Sequence, residues 1–117
     1  MRYMLLIYEN EALSAARGEA EQNAVIAEHR AFAAAARADG TFQAGDPLMP
    51  STTATCVKMR NGRRLTTDGP YAETREQVGG YYILNCKSLD EALERAAKIP
   101  TARDGVIEVR PIMEFDG

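Results

Sequence analysis

A chain of 117 residues, 45% hydrophobic and 26% charged, has room for one domain over 1–117 and the composition of an ordinary soluble globular protein. Its net charge of −3 argues against a nucleic-acid partner, because a phosphate-binding surface needs a concentrated positive field. No apolar run is long enough to cross a membrane, and Tyr3 to Tyr8 is too short for a signal-peptide core, so a cytoplasmic location is expected.

Arg2 to Tyr8 is nearly all large and apolar and reads as a strand near the centre of a sheet. Glu9 to Gly18 is small and polar, a surface loop with at most one helical turn. Glu19 to Ala38 is dense in Ala, Glu and Arg without Gly or Pro, which predicts a helix ended by Asp39-Gly40. Val25, Phe32 and Ala36, flanked by Ile26 and Ala33, form its apolar stripe. His29 falls in the middle of that stripe and is expected to point at the sheet.

Thr41 to Pro50 holds at most a short, irregular strand, because Gly45, Pro47 and Pro50 interrupt it. Thr52 to Arg60 alternates, and Asn61-Gly62 then predicts a type I′ hairpin turn, with Arg63 to Thr67 returning as a short edge strand. Arg60, Arg63 and Arg64 at that turn read as a solvated edge. Asp68-Gly69-Pro70 follows, a bend that fixes one acid: Gly69 takes angles other residues avoid, and Pro70 locks its own φ. Beyond Gly79-Gly80, Tyr81 to Cys86 reads as a strand. Ser88-Leu89-Asp90-Glu91 is a capping box opening a second helix that buries Leu89, Ala92, Leu93 and Ala96 and stops at Pro100. Val106 to Phe115 alternates as a half-buried strand.

Strand, helix, hairpin, strand, helix, strand is the order of a ferredoxin-like α+β sandwich, βαββαβ with an extra hairpin strand, on an antiparallel sheet. Both helices then lie on one face. The apolar side chains of the other face are expected to pack against a second copy, giving a homodimer. Cys56 and Cys86 sit in apolar strand contexts and read as buried hydrophobes. One histidine and two distant cysteines build no metal site, and no cofactor is expected.

The only chemical constellation is His29 with Asp68. A carboxylate accepting from one imidazole nitrogen raises the ring's basicity and leaves the other nitrogen free to move a proton. The plainer alternative is a core histidine and a turn with no further role. Tyr8 and Tyr81 can place hydroxyls in a cleft, and Arg110, on the non-core register of the last strand, can hold an anionic ligand or a surface ion pair.

The stretch Asp68-Gly69-Pro70-Tyr71-Ala72-Glu73-Thr74-Arg75-Glu76 resembles the motif that names the DGPF subgroup of the YCII-related proteins. Tyr3 to Tyr8, Glu28-His29-Arg30-Ala31-Phe32 and Val109-Arg110-Pro111-Ile112-Met113 resemble the subgroup in the same order, over nearly the whole chain. Tyr71 stands in place of the name-giving Phe and Arg75 in place of the usual Lys. The resemblance implies a dimeric α+β barrel type of fold with His29 and Asp68 as active-site residues. The function expected is a small-molecule enzyme using that pair without metal or nucleotide. The alternative is a non-catalytic ligand-binding protein, or a regulatory one linked to an extracytoplasmic-function sigma factor, as relatives with this motif are.

Overall fold

The computed structural model describes residues 1–115. The chain is a mixed α+β fold. Strand β1 (Arg2–Asn10) leads into a short helix α1 (Glu11–Ala15), then the long helix α2 (Glu19–Ala38) and strand β2 (Phe42–Pro47). Strands β3 (Thr55–Arg60) and β4 (Arg63–Asp68) form a hairpin. Strand β5 (Glu76–Asn85), helix α3 (Leu89–Ala96) and strand β6 (Val106–Pro111) complete the fold.

The main sheet has four strands in the order β2-β5-β1-β6, and every neighbour is antiparallel. The period of two along β1 decides its layers. Tyr3, Leu5 and Ile7 are buried, whereas Met4, Leu6 and Tyr8 are only half-buried. The buried face meets Phe32 and Ala36 of α2, Ala92 and Ala96 of α3, and Ile99 just beyond it. Leu5, Leu84 and Ile99 have no accessible surface. The opposite face carries Met4, Leu6, Tyr8, Tyr81 and Ile83. No described helix covers it, and the molecule is only 18 Å deep in its thinnest direction, the thickness of one sheet and one helix layer.

Helix α2 has its expected limits, and the turn after it uses Gly40 at φ 84°. The loop after β1 contains one short helix, capped by the Asn10 side chain, which accepts from the N–H groups of Ala12 and Leu13. Ser88 caps α3 by accepting from the Glu91 N–H at 3.2 Å. The β3–β4 turn has positive φ at both Asn61 (51°) and Gly62 (74°), as a type I′ turn demands.

Several expectations need correction. Gly79 and Gly80 lie inside β5, not before it. Opposite β1, the register steps from Ile7–Gly80 to Tyr8–Val78, leaving Gly79 as the extra residue of a bulge. A Cβ at Gly79 would stand 2.5 Å from the Glu9 carboxylate, so a side chain there requires the Glu9 side chain to move aside. The hairpin is no edge of the main sheet but a separate two-stranded one. Cys56, which lies on it, is therefore half-exposed, whereas Cys86 is buried; both thiols are free. On α3 only Ala92 and Ala96, one turn apart, reach the sheet. Leu89 and Leu93 flank that narrow stripe and stay 48% exposed. Strand β6 ends at Pro111, and Met113 and Phe115 beyond it are exposed.

Candidate active site

His29 projects from the middle of α2 toward the sheet and is half-buried. Each ring nitrogen faces a hydroxyl. Nδ1 shares a hydrogen bond with the Tyr82 hydroxyl at 3.1 Å, and Nε2 lies 3.5 Å from Thr101 Oγ1. The second contact is at the limit of a hydrogen bond and is the weaker one. Tyr82 stands on β5 opposite Leu5, on the helix side of the sheet, with its ring against Phe32 at a centroid distance of 4.8 Å. Thr101 sits in the 3-10 turn Pro100–Arg103, whose backbone follows α3 into the core.

Burial first, and then the charges nearby, bias this imidazole toward its neutral form. Burial lowers its pKa from the ordinary 6.5; Glu28 opposes that shift, and Arg17 and Arg103 reinforce it. Arg103 is held to Glu28 at 2.9 Å and Arg17 to Asp104 at 3.4 Å. Burial also raises the pKa of Tyr82, so its hydroxyl stays protonated. A hydroxyl can donate or accept, so either tautomer of His29 is satisfied without moving a heavy atom. This arrangement can take a proton at one nitrogen and release one from the other.

The residues singled out from sequence fall into three places. His29 is on the helix side of the sheet. Tyr8, Tyr81 and Arg110 are on the open side, with Tyr8 donating to Glu108 Oε1 at 3.3 Å and Tyr81 to Asp46 Oδ2 at 2.7 Å. Asp68 closes β4 opposite Thr55, exposed at the base of the hairpin. Its bend has the expected form, with Gly69 at φ 101° and its N–H bonded to the Ala54 carbonyl at 2.7 Å. Among the described residues, no hydrogen bond or ion pair within one chain joins Asp68 to His29. The charges that act on His29 come from Glu28, Arg17 and Arg103. The described residues also contain no group of three His, Cys, Asp or Glu side chains able to hold a metal ion. No described helix is long and apolar enough to cross a membrane. A cleft of about 660 Å³ lies between α2 and α3, lined by Phe32, Asp39, Glu91, Glu94 and Arg95 among others; His29 is not part of it.

Sequence reasoning missed Tyr82 and Thr101. The first was legible, because strand alternation puts Tyr82 on the face opposite Tyr81, toward the helix that carries His29. Thr101 follows a proline in an irregular turn and carries no comparable signal.

The model of the YCII-related domain matches residues 1–116. The chain belongs to that family. It is also similar to an uncharacterised protein of Rhizobium meliloti (strain 1021), with 34% identity over 114 residues, covering 96% of this chain and 92% of that one.

Proposed function

We propose that this YCII-related protein performs acid–base chemistry on a small organic molecule, with His29 as the group that takes and returns the proton. The observation that carries this reading is a neutral, half-buried imidazole with an amphoteric hydroxyl at each nitrogen. Tyr82 makes the shorter contact and orients the ring. Nε2, with its long contact to Thr101, is the position a substrate reaches. Asp68 enters as a second acidic group where the root of the hairpin bends or a second chain brings its carboxylate to the ring, and its DGPF-like surroundings support that role. The strand order β2-β5-β1-β6 supports a ferredoxin-like plan, and the open sheet face supports a homodimer.

The test is a metabolite-library screen by thermal shift, followed by NMR of each hit over time. The expected result is a compound that the wild type binds and consumes, that His29→Gln leaves unchanged, and that Tyr82→Phe consumes about 10- to 100-fold more slowly. A compound bound by the wild type and consumed equally by His29→Gln would remove His29 from the chemistry.

The Tyr8, Tyr81 and Arg110 side of the sheet supports a second reading, a non-catalytic ligand site. Its signature is a hit whose binding is lost in Arg110→Ala, kept in His29→Gln, and never turned over.

A further inference from the structure

The β3–β4 hairpin has two unlike faces. Its register sets Thr55 opposite Asp68, Val57 opposite Thr66 and Met59 opposite Arg64, and these side chains share one face. Cys56, Lys58 and Arg60, opposite Thr67, Leu65 and Arg63, share the other. On the first face Arg64 and Asp68 cancel in charge, and Val57 and Met59 are 60% and 56% exposed. The second face carries Lys58, Arg60 and Arg63 and no acid. Among the described residues none of these cations is in an ion pair, and Arg60 and Arg63 stand directly opposite each other. Like charges so placed weaken a ribbon, and a two-stranded ribbon with no layer against it is marginal already. One kind of ligand relieves both defects: an acidic one that also covers apolar side chains.

The backbone decides the form of that ligand. Asn61-Gly62 is a two-residue turn, so Arg60 and Arg63 are a hydrogen-bonded pair, and such pairs alternate along the ladder. The N–H and C=O groups of Thr55, Val57 and Met59 therefore point away from β4. Among the described residues β3 has no second neighbour. A free edge of this kind takes an extended chain by strand addition. A strand laid there sets alternate side chains beside Lys58 and Arg60 on one face and beside Val57 and Met59 on the other. Its complement alternates acidic and apolar residues. The β4 edge offers no such pattern: its one apolar residue, Leu65, shares the cationic face, and Asp68 repels an acid. Cations that only guard a solvated edge do not account for the apolar row on its other face.

We propose that β3 is a docking edge for an extended segment of a partner protein in which glutamate or aspartate alternates with an apolar residue. Lys58 and Arg60 meet its carboxylates, and Arg63 adds to their field from across the ladder. Val57 and Met59 cover its apolar side chains, and their outward N–H and C=O groups bond its backbone. The site is independent of His29 and of the open face of the main sheet.

The test titrates the full chain with a short acetylated, amidated peptide of alternating glutamate and valine, followed by NMR and amide hydrogen exchange at low and high salt. Binding is expected to protect the Val57 and Met59 amides from exchange and to weaken as salt rises. Lys58→Glu/Arg60→Glu is expected to lose about 10-fold or more in affinity for that peptide. The same variant should gain affinity for a lysine–valine counterpart, which a hairpin that had simply unfolded could not do. A glutamate–serine peptide is expected to bind the wild type about 10-fold more weakly. A wild type whose Val57 and Met59 amides the glutamate–valine peptide leaves unprotected overturns the proposal. So does a charge-reversed variant that binds both valine peptides as the wild type does. Equal binding of the glutamate–serine peptide, or of heparin with those amides unprotected, overturns it in favour of a polyanion site. Protection of the same amides before any peptide is added overturns it in favour of contact between copies.

Discussion

The four-stranded body and the two-stranded hairpin are built from similar strand residues, yet they solve the burial problem in opposite ways. In the body, alternate side chains of β1 and β5 are closed off by two helices, and four core residues, Leu5, Leu84, Ala92 and Ile99, have no accessible surface. In the hairpin, the turn chemistry is as good as any in the molecule, but among the described residues no layer lies on either face. Turn and strand propensity set the local shape of a ribbon, while stability comes from what packs against it. The difference predicts that mutations in the two regions report on different equilibria: folding of the chain in one, association in the other.

The largest effect is expected in the body. Leu84→Ala should destabilise the chain by about 2–5 kcal/mol in urea unfolding, because the site is sealed and cannot collapse around the lost methyls. A loss within about 0.5 kcal/mol would mean that the core is looser than its burial states. Next comes Gly45→Ala. Its new Cβ would stand 2.5 Å from the Tyr82 ring, and overpacking of that kind costs about 1–3 kcal/mol. Since Tyr82 holds His29, this variant should also shift the His29 ring resonances in NMR spectra, which a purely local clash would leave in place.

The acid side of the stability curve sharpens the same contrast. His29 has its folded pKa below the ordinary 6.5, so below that value the unfolded chain binds the extra proton and the folded one resists it. Stability is therefore expected to fall as pH drops through about 6.5 toward the lower folded pKa, and His29→Gln should flatten that part of the curve. The paired carboxylates of Glu28, Asp39 and Glu114 have lowered pKa values, and their contribution is lost only at more acidic pH. An Asp68 carboxylate brought to the ring would act the other way, so NMR titration of His29 in Asp68→Asn discriminates directly. A lower pKa in Asp68→Asn places Asp68 beside the ring; an unmoved one leaves Tyr82 as its partner. The smallest effects belong to the surface. Ser88→Ala should cost about 1 kcal/mol through the lost cap. Leu65→Ala should leave unfolding of a single chain within about 0.5 kcal/mol while weakening any dimer.

Much of this is legible in the sequence. The limits of α2, the type I′ turn and the Ser88 cap each follow from short-range chemistry in a few adjacent residues, and His29 points to the sheet because its stripe has helical spacing. What failed depended on distant neighbours. Nothing local says that Gly79 is a bulge, because the extra residue is defined only by the register of β5 against β1. Leu89 and Leu93 look like core on a helical wheel, yet only Ala92 and Ala96 of α3 are buried against the sheet. The pairing of His29 with Asp68 is a separate matter: it joins two distant segments and rests on the Asp68→Asn titration, whereas strand alternation already places Tyr82 at the imidazole.

The hairpin has one further consequence, which concerns crowding. Both of its strands are edges among the described residues, each presenting unpaired N–H and C=O groups along one side, and such ribbons join edge to edge into fibrils when nothing stops them. Lys58, Arg60, Arg63 and Arg64 lie within seven positions, so any two hairpins approaching edge to edge bring eight positive charges together. These four residues thus bar the ribbon from its own kind. Neutralising them should leave a soluble chain at low concentration and a precipitating one at high.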